Sequence, residues 1–190
     1  MNEKEEAVLT TATRLFCELG YHAVGVDTIV AEANVAKMTF YKYFPSKENL
    51  IEKVLLRRDQ QLRGSISAAI DRARTPTGKL KAVFDWYEDW FRSPDFHGCM
   101  FIKVSEEFPR PGSGVRLVAQ GHKTWLADIL ESILTGLRVN NPGLLSQHLV
   151  VILDGLTVKL NMYDDNVTGQ VRAAWRYTQQ LIEVSGPKAT

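Results

Sequence analysis

The sequence predicts an all-α protein of about nine helices, and three observations support this prediction. Apolar residues recur at the three- and four-residue spacing of amphipathic helices along most of the 190-residue chain. Helix-ending signals, mainly glycine and proline, separate these stretches. No stretch shows the alternation of apolar and polar residues, bounded by turn signals, that indicates a β-strand. With 45% hydrophobic residues, the chain has enough apolar surface to form a core without disulfides.

The first predicted helix ends at Gly20. Apolar residues from Val8 to Leu19 follow the helical spacing, and glutamates occupy the first turn, where the helix macrodipole favours negative charge. Glycine at position 20 suits the left-handed conformation that commonly follows the last helical residue. The sequence therefore predicts one amphipathic helix with a defined end.

Two short helices and a long one follow. The short helices are predicted at about 26–33 and 37–43, with Asn34 in the turn between them because asparagine tolerates left-handed backbone. Pro45 ends the second short helix. Ser46 is a suitable N-cap for the long helix, which is predicted to extend to about residue 74.

The rest of the chain is predicted to be a larger helical bundle. Turns rich in proline, glycine and asparagine separate five further helices, at about 78–92, 99–108, 115–137, 144–162 and 167–184. A tail is expected from Gly186 onward. We therefore predict a first domain at 1–50, a connecting helix at about 47–74, and a second domain at 75–190.

Composition limits the possible functions. The formal net charge is +1, so a nucleic-acid site would have to be a focused patch, and residues 36–47 form one with three lysines and no acid. The two cysteines, Cys17 and Cys99, form no CxxC pair, which favours a reducing compartment and leaves a redox role for Cys99 open. No signal peptide or 18-residue apolar run is evident, so we expect a cytoplasmic protein without a membrane partner.

An enzyme is one alternative, and the sequence gives it little support. The four histidines are scattered, without the spacing of metal ligands. There is no glycine-rich phosphate loop and no G-x-S-x-G nucleophile motif. We therefore predict no catalytic residues, no metal and no cofactor.

The first three helices have the lengths and spacing of a helix-turn-helix. Such a module places a short helix in the major groove, while the preceding helix crosses the DNA backbone. Ile29, Val35, Phe40 and Phe44 can face inward, which turns the lysines and tyrosines of the third helix outward. Lysine and tyrosine are good donors to phosphates and base edges, so this surface is predicted to contact DNA.

A specific pattern extends from Leu9 to Val54. Its residues are Ala12, Leu15-Phe16, Gly20-Tyr21, Val26-Asp27, Ile29, Glu32-Ala33, Val35, Thr39-Phe40-Tyr41, Tyr43-Phe44 and Ser46-Lys47-Glu48-Asn49-Leu50. This pattern resembles the DNA-binding domain of the TetR/AcrR family of transcriptional regulators. The resemblance covers roughly the first quarter of the chain. The remainder is similar to the family in length, helical character and the order of its long helices.

The resemblance implies a role for each side chain around the third helix. Base-edge contacts are expected from Lys37, Met38, Thr39 and Lys42. Phosphate contacts are expected from Tyr41, Tyr43 and Lys47. The chain departs from the family at Gly25 and Ala36, where hydroxyl residues are common, so two phosphate contacts and a helix cap are expected to be missing.

The resemblance also implies a homodimer that binds double-stranded operator DNA, most often a repressor released by a small-molecule effector. The dimer interface is expected to lie on the last two helices and to include Leu145, Leu149, Ile152, Leu156, Val171, Trp175, Thr178 and Ile182. The effector pocket is expected to be lined by Trp86, Tyr87, Trp90, Phe91, Met100, Phe101, Phe108, Trp125 and Met162. The other alternative is an activator or all-helical interaction protein with a degenerate DNA-binding domain, suggested by the missing hydroxyls at positions 25 and 36.

Overall fold

A computed structural model of the chain describes residues 2–163 and 166–186, and within these ranges all regular secondary structure is helical. The helices are α1 (Glu3–Leu19), α2 (Val26–Glu32), α3 (Lys37–Tyr43), α4 (Lys47–Asp71), α5 (Pro76–Phe91), α6 (Met100–Glu107), α7 (Gly114–Gly136), α8 (Pro142–Tyr163) and α9 (Val167–Ser185). The prediction of an all-α fold is confirmed, with each helix near its expected position. The predicted tail lies outside the described residues after Gly186.

The helix ends follow the signals found in the sequence. Gly20 has φ of +84°, and its amide donates to the Phe16 carbonyl at 3.1 Å. Asn34, in the turn between α2 and α3, has φ of +52°. The Ser46 hydroxyl accepts from the Asn49 amide at 3.1 Å, which caps α4 as predicted.

The chain forms two compact units. Unit 1 consists of residues 1–61 and 99–122, and unit 2 of residues 62–98 and 123–190. Unit 1 therefore joins α6 and the first turns of α7 to the N-terminal helices. Sequence reasoning places these segments in the second domain, and the domain boundaries at 50 and 75 remain a prediction.

Unit 1 has a core of fully buried aromatic and aliphatic side chains. Phe16, Tyr21, Phe40 and Phe44 are each 0% exposed, and Phe101 of α6 is 1% exposed. Ion pairs on the surface link α1 to α4, one between Arg57 and Glu6 at 2.5 Å and a longer one between Lys53 and Glu5 at 3.8 Å. The core holds the short helices α2 and α3 against α1, and the ion pairs join α1 to α4.

Unit 2 packs α5, α8 and α9 together with the later turns of α7 around a second apolar core. Phe84 of α5 contacts Trp175 of α9, with ring centroids 5.2 Å apart. By length and composition, α8 is the one described helix apolar enough to cross a membrane, and eight of its residues are buried inside unit 2. Burial in this core accounts for its hydrophobic character.

Candidate nucleic-acid interface

The helix α3 is held by its buried aromatic side. Phe40 and Phe44 have no exposed surface, and their rings lie 5.5 Å apart, centroid to centroid. Ile29 of α2 is equally buried, and α1 packs against both short helices. Because one side of a seven-residue helix is fixed in this way, the remaining side chains of α3 must point away from the core.

The predicted DNA-binding side chains line this outer surface. Met38 is 82% exposed and Tyr41 44% exposed, and Lys37 and Lys42 are also exposed. Thr39, Tyr43 and Lys47 are half-buried. The structure thus brings all seven residues to α3 and the start of α4, while their contacts with bases and phosphates remain predictions.

The lysines of this surface differ in their surroundings. Lys37 forms an ion pair with Asp27 of α2 at 2.7 Å, and this hydrogen bond raises the pKa of Lys37. Lys42 lies 6.0 Å from the centre of the Tyr43 ring. Partial burial lowers the pKa of Lys47, an effect opposed by the negative charge of Glu107. Among the residues that the structure describes, Lys37 is the one lysine of this surface that forms an ion pair.

The N-termini of α2 and α3 lack side-chain caps. Gly25 and Ala36 occupy the N-cap positions, and neither makes a side-chain hydrogen bond. This agrees with the sequence, which places no hydroxyl at either position. Both short helices therefore depend on packing rather than capping for their stability.

A carboxylate at the end of α6 holds the loop between α1 and α2, a feature that sequence reasoning missed. Glu107 accepts hydrogen bonds from the Tyr21 amide at 2.9 Å and the His22 amide at 2.6 Å. The His22 ring contacts the Glu107 carbonyl at 2.8 Å and stacks on Phe108 with centroids 4.9 Å apart. We call this set of contacts the Glu107 clamp.

Other contacts between α6 and the N-terminal helices support the clamp. The Tyr21 hydroxyl donates to the Met100 carbonyl at 2.9 Å, and the Lys103 ammonium donates to the Cys17 carbonyl at 2.6 Å. Burial, followed by the nearby Cys99 and Cys17 thiols and Glu107, raises the pKa of Tyr21 well above its ordinary value. Tyr21 is therefore a neutral hydrogen-bond donor fixed between α1 and α6.

The residues predicted for the dimer interface lie mainly inside unit 2. Five of the eight are buried within one protomer: Leu145, Leu149, Leu156, Val171 and Thr178. The other three are half-buried and pack against the same core: Ile152, Trp175 and Ile182. Exposed apolar residues of α8 and α9 occupy other positions, which bears on the dimer proposed below.

The predicted effector-pocket residues are divided between the units. Unit 1 contains Met100, Phe101 and Phe108, and unit 2 contains Trp86, Tyr87, Trp90, Phe91, Trp125 and Met162. Tyr87, Phe91, Met100 and Phe101 are buried, whereas Met162 is 65% exposed. The remaining four are half-buried. Their role in ligand binding remains a prediction.

An exposed, lysine-bearing third helix fixed on a small helical core is the arrangement of a helix-turn-helix DNA-binding protein. The family model for bacterial regulatory proteins of the tetR family matches residues 8–54, which include this module. The chain belongs to the TetR family and is a DNA-binding transcriptional regulator. The family predicted from the sequence is thereby confirmed.

Solved structures of relatives extend this similarity over the whole chain. A TetR-family transcriptional regulator from Streptomyces coelicolor is 29% identical, with a TM-score of 0.91 and coverage of 97% of both chains. A regulator described as a putative TetR-type protein from Streptomyces avermitilis is 25% identical, with a TM-score of 0.85, and the match covers 95% of this chain and 98% of that one. The two-part helical fold is therefore shared along almost the full length.

Curated relatives include regulators of opposite sign. The transcriptional activator FasR of Mycolicibacterium smegmatis is 27% identical over 182 residues, 92% of this chain and 82% of that protein. The transcriptional repressor DhaR of a Mycobacterium species is 25% identical over 157 residues, 79% and 78% of the two chains. An uncharacterised regulator of Bacillus subtilis, YuxN, is 44% identical, but over only 29% of this chain and 19% of its own length.

Proposed function

We propose that the chain is a homodimeric, sequence-specific repressor that a small-molecule effector releases from operator DNA in the cytoplasm. The observation that carries the DNA-binding part is the outward face of α3, where lysine, tyrosine and methionine side chains surround a buried Phe40 and Phe44. A helix of seven residues fits the major groove, which is about 12 Å wide.

Base reading is assigned to the most exposed side chains. Lys42 is suited to donate to guanine O6 or N7, and Met38, 82% exposed, is suited to contact a thymine methyl group. Thr39 and Lys37 complete the base-facing set. Tyr41, Tyr43 and Lys47 are proposed to contact phosphates, where they fix the register of the helix without reading sequence.

Dimerisation is proposed to use the exposed apolar face of α8 and α9. Leu144, Val151 and Val158 are exposed and follow one another at seven-residue spacing, which places them on one side of α8. Tyr177 and Leu181 of α9 are exposed at four-residue spacing. Two copies joined through this face would present two copies of α3 to successive major grooves, with half-sites about 34–36 Å apart.

Release is proposed to pass through α6. Met100 and Phe101, two of the predicted pocket residues, begin this helix, and Glu107 at its other end holds the loop that precedes α2. A ligand that displaces the start of α6 would therefore disturb the support of α2 and α3. Such a ligand lowers operator affinity to the extent that it binds the displaced state more tightly.

The function is tested by selecting DNA from a random library and measuring the affinity of the selected sequence by fluorescence anisotropy. We expect a two-fold symmetric site, and Lys42→Ala is expected to relax base preference at one position of each half-site. Lys79→Ala, which removes a lysine from unit 2, is the matched control. Failure to enrich any sequence would support the alternative of an interaction protein with a degenerate DNA-binding domain.

The sign of regulation and the dimer need separate measurements. A reporter promoter containing the selected site is expected to be silenced, and stimulation would instead indicate an activator such as FasR. In sedimentation experiments, Val151→Glu is expected to shift the dimer to monomer because it places charge on the proposed interface. Leu117→Glu, at an exposed leucine of unit 1, should leave the dimer intact.

A further inference from the structure

A half-buried aromatic face on α5 takes no part in the contacts that support DNA binding. The rings of Trp86 and Trp90 lie 5.7 Å apart, centroid to centroid, and are inclined by 33°. Trp90 also contacts Phe96 edge-on at 5.1 Å. Buried Tyr87 and Phe91 lie behind this pair and complete a continuous aromatic group within unit 2.

The carboxylates beside this face are not all neutralised. Asp85 pairs with Lys81, and Glu88 pairs with Arg92 at 2.9 Å. Asp89 is exposed and forms no ion pair with any residue that the structure describes. Since Asp89 follows Trp86 by three residues, its carboxylate lies on the same side of α5 as the Trp86 ring. One unpaired negative charge therefore adjoins the two tryptophans.

The local backbone also favours positive charge. Asp89 and Trp90 lie in the last turn of α5, which contains no basic residue, and the C-terminal end of a helix attracts cations. Arg92, just beyond the helix, is held by Glu88 and by the Thr168 hydroxyl of α9. The C-terminal end of α5 and the Asp89 carboxylate therefore both attract positive charge to this face.

The other tryptophans of unit 2 already have a cation over the ring. Lys81 lies 5.9 Å from the centre of Trp175, and Arg63 lies 5.2 Å from the centre of Trp125. Across the described part of the chain, no lysine or arginine takes this position over Trp86 or Trp90. Trp86 and Trp90, which adjoin the unpaired Asp89 carboxylate, are thus the tryptophans without a cation over the ring.

We propose that Trp86, Trp90 and Asp89 form a binding site for an organic cation, a quaternary or aryl ammonium group on an apolar body. The ring faces attract the positive charge, the carboxylate neutralises it, and the surrounding aromatic surface covers the apolar part. The proposal deepens the proposed function, because Trp86 and Trp90 are among the predicted effector-binding residues. It names the chemical class of ligand that those two residues select.

The test compares two probes of equal shape and different charge, phenyltrimethylammonium and neutral tert-butylbenzene. Binding to the full-length protein is followed through the indole N–H signals of the four tryptophans in ¹H–¹⁵N NMR spectra. The cation is expected to shift the signals of Trp86 and Trp90, leave those of Trp125 and Trp175 in place, and bind about tenfold more tightly than the neutral probe.

Substitutions distinguish the effect of the Asp89 charge on binding from a general effect on the fold. Asp89→Asn is expected to weaken binding of the cation about five- to tenfold, whereas Asp85→Asn, on the same helix but already paired with Lys81, should not. Trp90→Leu should abolish the shift at Trp86. Equal affinity for the two probes, shifts confined to Trp125 and Trp175, or equal effects of the two aspartate substitutions would overturn the proposal.

The two levels of the proposal fail differently. Displacement of the selected DNA by phenyltrimethylammonium, lost in Asp89→Asn, would support both the site and its effector role. Charge-selective binding that leaves operator affinity unchanged would keep the cation site and refute its part in release. Absence of charge-selective binding in a protein that still binds its operator would refute the site alone.

Discussion

The Glu107 clamp leads to a quantitative prediction for Glu107→Ala. The substitution removes the acceptor of two amide hydrogen bonds, at 2.9 and 2.6 Å. Hydrogen bonds to a charged group contribute about 1.5–3 kcal/mol each. The His22 amide is exposed, so water can replace the lost acceptor, and we expect this hydrogen bond to contribute about 1.5 kcal/mol or less. We therefore expect the local opening free energy of the Tyr21–His22 loop to fall by about 2–4 kcal/mol.

The clamp should also affect operator binding. Fixing one residue costs roughly 1–2 kcal/mol of conformational free energy, so each loop residue that is released in the free protein and fixed again on DNA weakens binding by about 5- to 30-fold. Glu107→Gln, which keeps one carbonyl oxygen as an acceptor, should give intermediate values for both quantities.

Hydrogen exchange of the Tyr21 and His22 amides measures the first effect, and fluorescence anisotropy with the selected DNA measures the second. Glu106→Ala is the matched control, because Glu106 is the exposed neighbour of Glu107 on α6, and the two amide hydrogen bonds of the loop go to Glu107. Unchanged protection of both amides in Glu107→Ala, or an equal loss in Glu106→Ala, would refute the reasoning.

Three further predictions concern the same unit. Gly20→Ala should lower the free energy of unfolding by about 1–2 kcal/mol, because φ is +84° and a Cβ would lie 2.8 Å from the Glu107 carboxylate. Urea denaturation measures this loss. Gly112→Ala is the control, because Gly112 has a similar φ but open space around it, so the difference between the two variants gives the cost of the clash. The raised pKa keeps Tyr21 neutral in the folded protein, whereas Tyr21 ionises near pH 10 in the unfolded chain. The free energy of unfolding should therefore fall as the pH rises through about 10, and Tyr21→Phe should remove the part of this fall that Tyr21 causes. The same dependence of unfolding free energy on pH in both proteins would contradict the raised pKa. Lys47→Ala should weaken binding equally for all DNA sequences and reduce the salt slope by about 1; a changed base preference would show that Lys47 reads sequence.

The N-terminal module could be predicted from local sequence because its signals are local. Gly20, Asn34, Pro45 and Ser46 end or begin helices through their own backbone and side-chain chemistry. The burial of Phe40 and Phe44 follows from the spacing of apolar residues in a short helix. These features needed no knowledge of distant contacts, and the structure has each of them.

The Glu107 clamp could not be predicted in this way. Tyr21 and Glu107 are 86 residues apart, and an acid at the end of a short helix is by itself unremarkable as a sequence signal. The face of α8 proposed for dimerisation could not be predicted either. Leu145 and Leu149 on one side and Leu144 and Val151 on the other are all aliphatic, so apolar spacing alone does not distinguish the buried side from the exposed one.

The ion pair between Lys37 and Asp27 has a consequence for the ions around the DNA. A lysine that enters the groove displaces a cation condensed on the phosphates. If Lys37 leaves Asp27 to make its proposed base contact, the freed Asp27 carboxylate would attract a cation from solution, which would offset part of the cation release. Asp27 thus acts as an internal counterion of Lys37, and operator affinity should depend less steeply on salt than the number of lysines on α3 and at the start of α4 would suggest.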